Sequence, residues 1–259
     1  MKFDRFFRAL GPIIAVAMAA GVASCDGKVS INGEKGKPLA EVDMTGTPPD
    51  ELVLLGPDEV RVTQGDKLLI TVEGDKAVTD RLRFTLKDGT LGVLREGKSY
   101  DSDRSGGTAV VNVTMPAPKT LTMAGSGKIN AATLAKDAEV TIAGSGDIET
   151  PNVASDKLDL TIAGSGSYRG AGNVGALNVS IVGSGSAAMD ALKTDRADLT
   201  VAGSGSSTFA SDGEVKAKIL GSGSVTVRGR ARCTVESMGS GKLVCEPGSG
   251  AAPAAEKAG

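Results

Sequence analysis

Beyond residue 50 the chain is written in short alternations of apolar and polar residues, and no apolar spacing suits a helix of normal length. Leu82-Arg83-Phe84-Thr85-Leu86 and Val111-Asn112-Val113-Thr114-Met115 alternate strictly, as a strand buried on one side must. Similar runs at 52–55, 60–62, 68–72 and 91–94 are separated by turn signals. Asp88-Gly89 is the sharpest of these, because both residues tolerate positive φ. The pattern predicts an all-β protein.

From residue 119 the alternation becomes periodic. Gly-Ser-Gly begins at Gly125, Gly144, Gly164, Gly183, Gly203, Gly221 and Gly239, in steps of 18 to 20 residues. Such a period means one small unit stacked on copies of itself. Four residues before each first glycine stand Leu121, Val140, Leu160, Val179, Leu199, Ala217 and Val235. Two before it stand Met123, Ile142, Ile162, Ile181, Val201, Ile219 and Ser237, and the residue between is Thr122, Thr141, Thr161, Ser180, Thr200, Lys218 or Glu236. One unit is therefore strand, corner, strand and a looser return. Coils ~4.8 Å apart make a parallel β-helix of about seven turns, roughly 30–35 Å long. Glycine suits the corner because it accepts positive φ and lets backbones approach closely. Ala124, Ala143, Ala163 and Ala202 just before it predict little room there. The serines Ser126 through Ser240 are candidates for a hydrogen-bonded ladder along the axis.

Residues 50–118 are more charged and less regular, as expected of a β segment capping the 119–245 helix. Residues 25–49, broken by Gly and Pro, read as a flexible tether, and 246–259, rich in Gly, Pro and Ala, as a disordered tail. Residues 1–24 read as an export signal: Lys2, Arg5 and Arg8 lead, an apolar run follows from Leu10 to Val22, and small residues close it. Val22-Ala23-Ser24-Cys25 resembles the lipobox of bacterial lipoproteins, which implies acylation of Cys25 and a membrane as the first partner. The alternative is plain cleavage, leaving a free thiol. Lipidation would leave an even pair, Cys233 and Cys245, for an oxidising compartment.

The corner repeats, together with Glu51-Leu-Val-Leu-Leu-Gly-Pro-Asp-Glu-Val60 and Leu82-Arg-Phe-Thr-Leu86, resemble the bacterial head GIN domain family, grouped as auto-transporter adhesins without an established activity. The resemblance extends over about residues 40–245. It implies a right-handed β-helix on an exported protein and supplies no catalytic residues.

Composition narrows the chemistry. The 259 residues include 36 glycines, no histidine and no tryptophan, with a formal net charge of −2. That balance argues against a nucleic-acid partner. Without histidine there is no Ser-His or Cys-His nucleophile, and zinc and other cofactors are not expected. A phosphate-cradling reading of the glycines fails because strands follow them, and a calcium β-roll would need regular aspartates every nine residues. Asp147 and Glu149 alternate as outer-face residues do. Lys128, Arg169, Lys218 and Lys242 read either as a basic stripe or as scattered surface charges. Cys233 and Cys245 lie six residues either side of Gly239 at inward positions. A disulfide there closes the final coil; the competing arrangement is two thiols on sheets ~10 Å apart, beyond the ~7 Å Cα reach of a bridge. The expected protein is a non-enzymatic, lipid-anchored envelope module that binds an envelope polymer or surface glycan. A polysaccharide-active enzyme and a purely structural component are the alternatives, the first requiring convergent charges in a groove.

Overall fold

The computed structural model of the chain describes residues 23–25, 28–96 and 107–247. The expected export signal lies outside the described residues apart from Ala23 and Ser24, as does the expected tail beyond Pro247. Three short antiparallel strands come first: β1 (Ala23–Cys25), β2 (Lys28–Ile31) and β3 (Glu34–Lys35). Part of the segment expected to be a tether is thus a strap on the body. Ile31 is 1% exposed and packs with Val53 and Leu94, and Lys37 exchanges two backbone hydrogen bonds with Phe84. The cause is local. Val53 and Leu94 point outward from the body, and without the strap they would meet water.

β4 (Glu51–Gly56) and β5 (Glu59–Gln64) form a first coil. β6 (Leu69–Glu73), one helical turn at Lys76–Thr79 and β7 (Leu82–Lys87) follow. β8 (Thr90–Arg95) and β9 (Val110–Met115) then lie parallel to β4 and β5 on one side of that coil. β7 pairs antiparallel with β8, and β6 with β9, closing this end of the stack. The Asp88-Gly89 turn between β7 and β8 has the predicted positive φ at both residues, 52° and 80°. β10 (Thr120–Gly125) and β11 (Lys128–Ala131) pair with the opposite edges of β4 and β5. The coil at 51–64 is therefore held between two others that follow it in sequence. Residues 50–118 supply this coil and the antiparallel cap together.

The periodic region winds without reversal through β12 (Asp137–Gly144), β13 (Asp147–Gly164), β14 (Ser167–Gly183), β15 (Ser186–Gly203), β16 (Ser206–Gly221), β17 (Ser224–Gly229), β18 (Arg232–Gly239) and β19 (Lys242–Pro247). All pairings along it are parallel, and each corner glycine registers on the next. The fold is the expected parallel β-helix. The two inward columns before the corner are filled from Leu121 to Ile219 at 0–3% exposure. After the corner, bulk alternates with its absence: Tyr168 lies beside Gly170, Ala187 beside Met189 and Ser207 beside Phe209, all interior. A Cβ on Gly170 would stand 2.8 Å from the Tyr168 ring, so the glycine makes the tyrosine's space.

Candidate functional site

The corner is built by the main chain. At Gly203 φ is +125°, and an added Cβ would lie 2.3 Å from the Gly183 carbonyl oxygen. That carbonyl instead accepts 2.9 Å from the Ser204 N–H, and the same bond recurs from Ser145, Ser165, Ser184 and Ser222 to the glycine one coil back. The second glycine of each triplet is confined differently. At Gly223 a Cβ would meet Val201 Cγ1 at 2.5 Å, the inward side chain of the preceding coil. The corner serine side chains, by contrast, are exposed, so no ladder through the corner follows from them. Hydroxyl contacts between coils occur two residues later, where Ser206 donates to Ser186 Oγ at 3.2 Å and Ser167 donates to Asp147.

The corner column continues one step beyond the Gly-Ser-Gly repeat. Gly125 registers on Gly56, and Gly56-Pro57-Asp58 turns the first coil with φ +131° at Gly56. The signal for it was present, since Leu52, Leu54 and Val60 occupy the repeat's inward positions. Asp58 replaces the third corner residue and is 1% exposed. Its carboxylate accepts from Arg95 through both oxygens and from the Ala109 N–H at 2.9 Å, tying the first coil to the β8–β9 layer.

Three outward columns run along the strands before the corner. Thr122, Thr141, Thr161, Ser180 and Thr200 register directly on one another, at the ~4.8 Å spacing of adjacent strands. Thr141 Oγ1 is buried without a hydrogen-bond partner; the other four are half-buried. On the corner side lie Ala124, Ala143, Ala163, Val182, Ala202 and Leu220. They are partly exposed, so these small residues reflect an outward position and not a cramped interior; valine and leucine are accommodated equally. On the far side Glu139, Asp159, Asn178 and Asp198 make an acidic column. Asn178 donates to Asp159 at 2.6 Å, and Lys157 pairs with the same carboxylate at 2.6 Å. Burial, then the charges of Asp159 and Glu51, raise the Glu139 carboxyl above its ordinary value.

The sequence-level charge candidates are dispersed. Lys128 pairs with Glu149 at 3.6 Å, Asp147 accepts from Ser167, and Arg169 registers on Glu149. Lys218 lies on the strand before the corner, 3.9 Å from Glu236, and Lys242 shares the Lys128 column with Asp147 and four serines between them, so the four cations form no stripe. A groove of about 510 Å³ runs over the returns between coils, flanked by Lys136, Asp156, Asn173, Lys193 and Asp195. Lys136 donates to the Ala154 carbonyl and Lys193 pairs with Asp212 at 2.7 Å. The Lys193 hydrogen bond and the Arg230 N–H hold the Asp212 carboxyl below its usual range. Among the described residues no group of three potential metal ligands converges, and no helix is long and apolar enough to cross a membrane. Cys25 has its backbone in β1, paired with Lys28; its side chain lies outside the described residues. Cys233 and Cys245 are joined in a disulfide with Cα atoms 6.6 Å apart.

Fold and surface together define a parallel β-helix that presents its polar chemistry on flat outer faces around a filled interior. The family model described as "Putative auto-transporter adhesin, head GIN domain" matches residues 48–231. The chain belongs to that family. Solved structures share the fold: a "putative adhesin" from Bacteroides fragilis is 18% identical with a TM-score of 0.64, covering 78% of this chain and 93% of that one. A "Putative lipid binding protein" from Parabacteroides distasonis is 21% identical with a TM-score of 0.62, covering 77% and 93%. A "putative adhesin" from Parabacteroides merdae is 17% identical with a TM-score of 0.58, covering 78% and 93%. No curated protein matches the chain.

Proposed function

We propose that this protein is a non-enzymatic binding module of the bacterial envelope, anchored through lipid on Cys25, whose threonine-bearing face holds an envelope polymer or surface glycan. The observation that carries the reading is the register of Thr122 through Thr200. Those hydroxyls repeat with the coils and lie between an apolar column and an acidic one. A repeating polymer laid along the axis meets the same three chemistries at each step, so many weak contacts add along one chain. Family membership supports an adhesive role. The filled interior favours contact at the surface over enclosure of a lipid chain.

A glycan and envelope-polymer array probed with the form beginning after Asp26 tests the reading. Binding is expected to weaken tenfold or more when Thr161 and Thr200 are both replaced by lysine, with the β-sheet circular dichroism unchanged. Binding that survives this double replacement would move the site off this face. Retention of the full chain in the membrane fraction, lost on Cys25→Ser, tests the anchor separately.

A further inference from the structure

The two ends of the stack are finished differently. One is closed by the antiparallel strands β6 and β7. Among the described residues, the other ends in the coil of β18 and β19, each paired on one edge only, with β16 and with β17. Val235 is 46% exposed there, although the residues stacked at the same inward position in the preceding coils are at most 3% exposed. Met238 and Val244 add 66% and 46% exposure. An open edge with apolar residues is a template for strand pairing, which proteins ordinarily blunt.

The charges on this coil say what it fits. β18 carries Arg232 and, four residues on, Glu236; β19 carries Lys242 and, four residues on, Glu246. A strand with a cation and an acid equally far from its midpoint is complementary to itself when a second copy runs antiparallel. The midpoints are Thr234 and Val244. The Cys233–Cys245 disulfide sets the two strands across from each other with Cα atoms 6.6 Å apart, so Thr234 and Val244, one residue nearer the corner on each strand, occupy opposed backbone positions with their side chains turned outward. A single two-fold axis through both midpoints brings Arg232 opposite the second copy's Glu236 and Lys242 opposite its Glu246. The same axis keeps inward residues inward, covering Val235 and Leu243. Antiparallel addition onto a coil of this helix already occurs within the chain, at β6 and β7.

The geometry points to an end-to-end dimer in which the open coils of two copies pair antiparallel through β18 and β19. The capped ends then face away, so assembly stops at two. An axis normal to the sheets leaves both threonine faces on the same side of the dimer.

Native mass spectrometry of the full chain is expected to show the dimer. Glu236→Arg with Glu246→Lys in one variant, and Arg232→Glu with Lys242→Glu in another, should each weaken self-association about tenfold or more. Mixing the two should restore a dimer containing one of each, with unchanged circular dichroism throughout. A monomeric full chain that dimerises only when cut after Pro247 would mean that residues 248–259 cover the end, and would overturn the proposal. So would a dimer indifferent to both charge reversals.

Discussion

At the scale of single residues, the corner separates two kinds of position that look alike in the sequence. Gly203 has a carbonyl oxygen where its side chain would go, whereas Ser204 contributes its N–H and leaves its hydroxyl in solvent. Gly203→Ala should therefore cost about 3 kcal/mol or more from positive φ and the backbone clash. Ser204→Ala should stay within about 0.5 kcal/mol. Urea unfolding followed by circular dichroism distinguishes them. Tyr168 is a second test. Burial pushes its phenol up to about 12, against the lowering effect of its 2.5 Å hydrogen bond with Thr150. The folded chain thus favours the neutral ring relative to an unfolded value near ~10. Its contribution to stability is complete below that unfolded value and is lost as pH rises through about 12. In a Tyr100→Phe background, tyrosinate absorbance at 295 nm should appear near pH 12, accompanied by loss of structure; a reversible titration near pH 10 in the folded protein would contradict the burial. The glycines were legible because the main chain makes their role. Thr150 stands at an inward position of the repeat, but its pairing with Tyr168 was not legible, since it joins side chains of two different coils.

Elements show where pattern reading works and where it stops. The strands before each corner follow directly from Leu-Thr-Ile alternation, because one face is buried in every copy before the last. Residues 28–49 were obscured by their glycines and prolines. What orders them is Ile31 meeting Val53 and Leu94, a contact between segments far apart in sequence. Gly56-Pro57-Asp58 was seen only as punctuation, since proline and aspartate conceal the repeat. Among the described residues the last coil has a neighbour on one side alone, and the Cys233–Cys245 disulfide closes it. Closing a loop of this size contributes about 3 kcal/mol. Reduction should therefore speed amide exchange across 229–247 while leaving 137–203 protected, because coils interact with their nearest neighbours. Equal acceleration along the whole stack would show that the coils melt as one.

For the molecule as a whole, the sequence disclosed the winding but not its exception. The Asp58–Arg95 pair marks that exception, since it joins the coil at 51–64 to a layer formed later in the chain, across a separation of 37 residues. Asp58→Ala leaves Arg95, 12% exposed, without its carboxylate and should cost about 3–5 kcal/mol. Its equilibrium unfolding measured beside that of a Lys128→Ala surface control would register the difference. The face proposed to bind was legible as a threonine column; its acidic flank emerged only from the register of neighbouring coils.

That exception also governs the order in which the molecule can be made. A helix wound from one end adds each coil to the last, but here the coil at 51–64 receives both of its neighbours from later in the chain. The block at 51–125, in which β4 is paired on both of its edges, is the expected starting point for folding, and the order in which amides gain protection during refolding checks it.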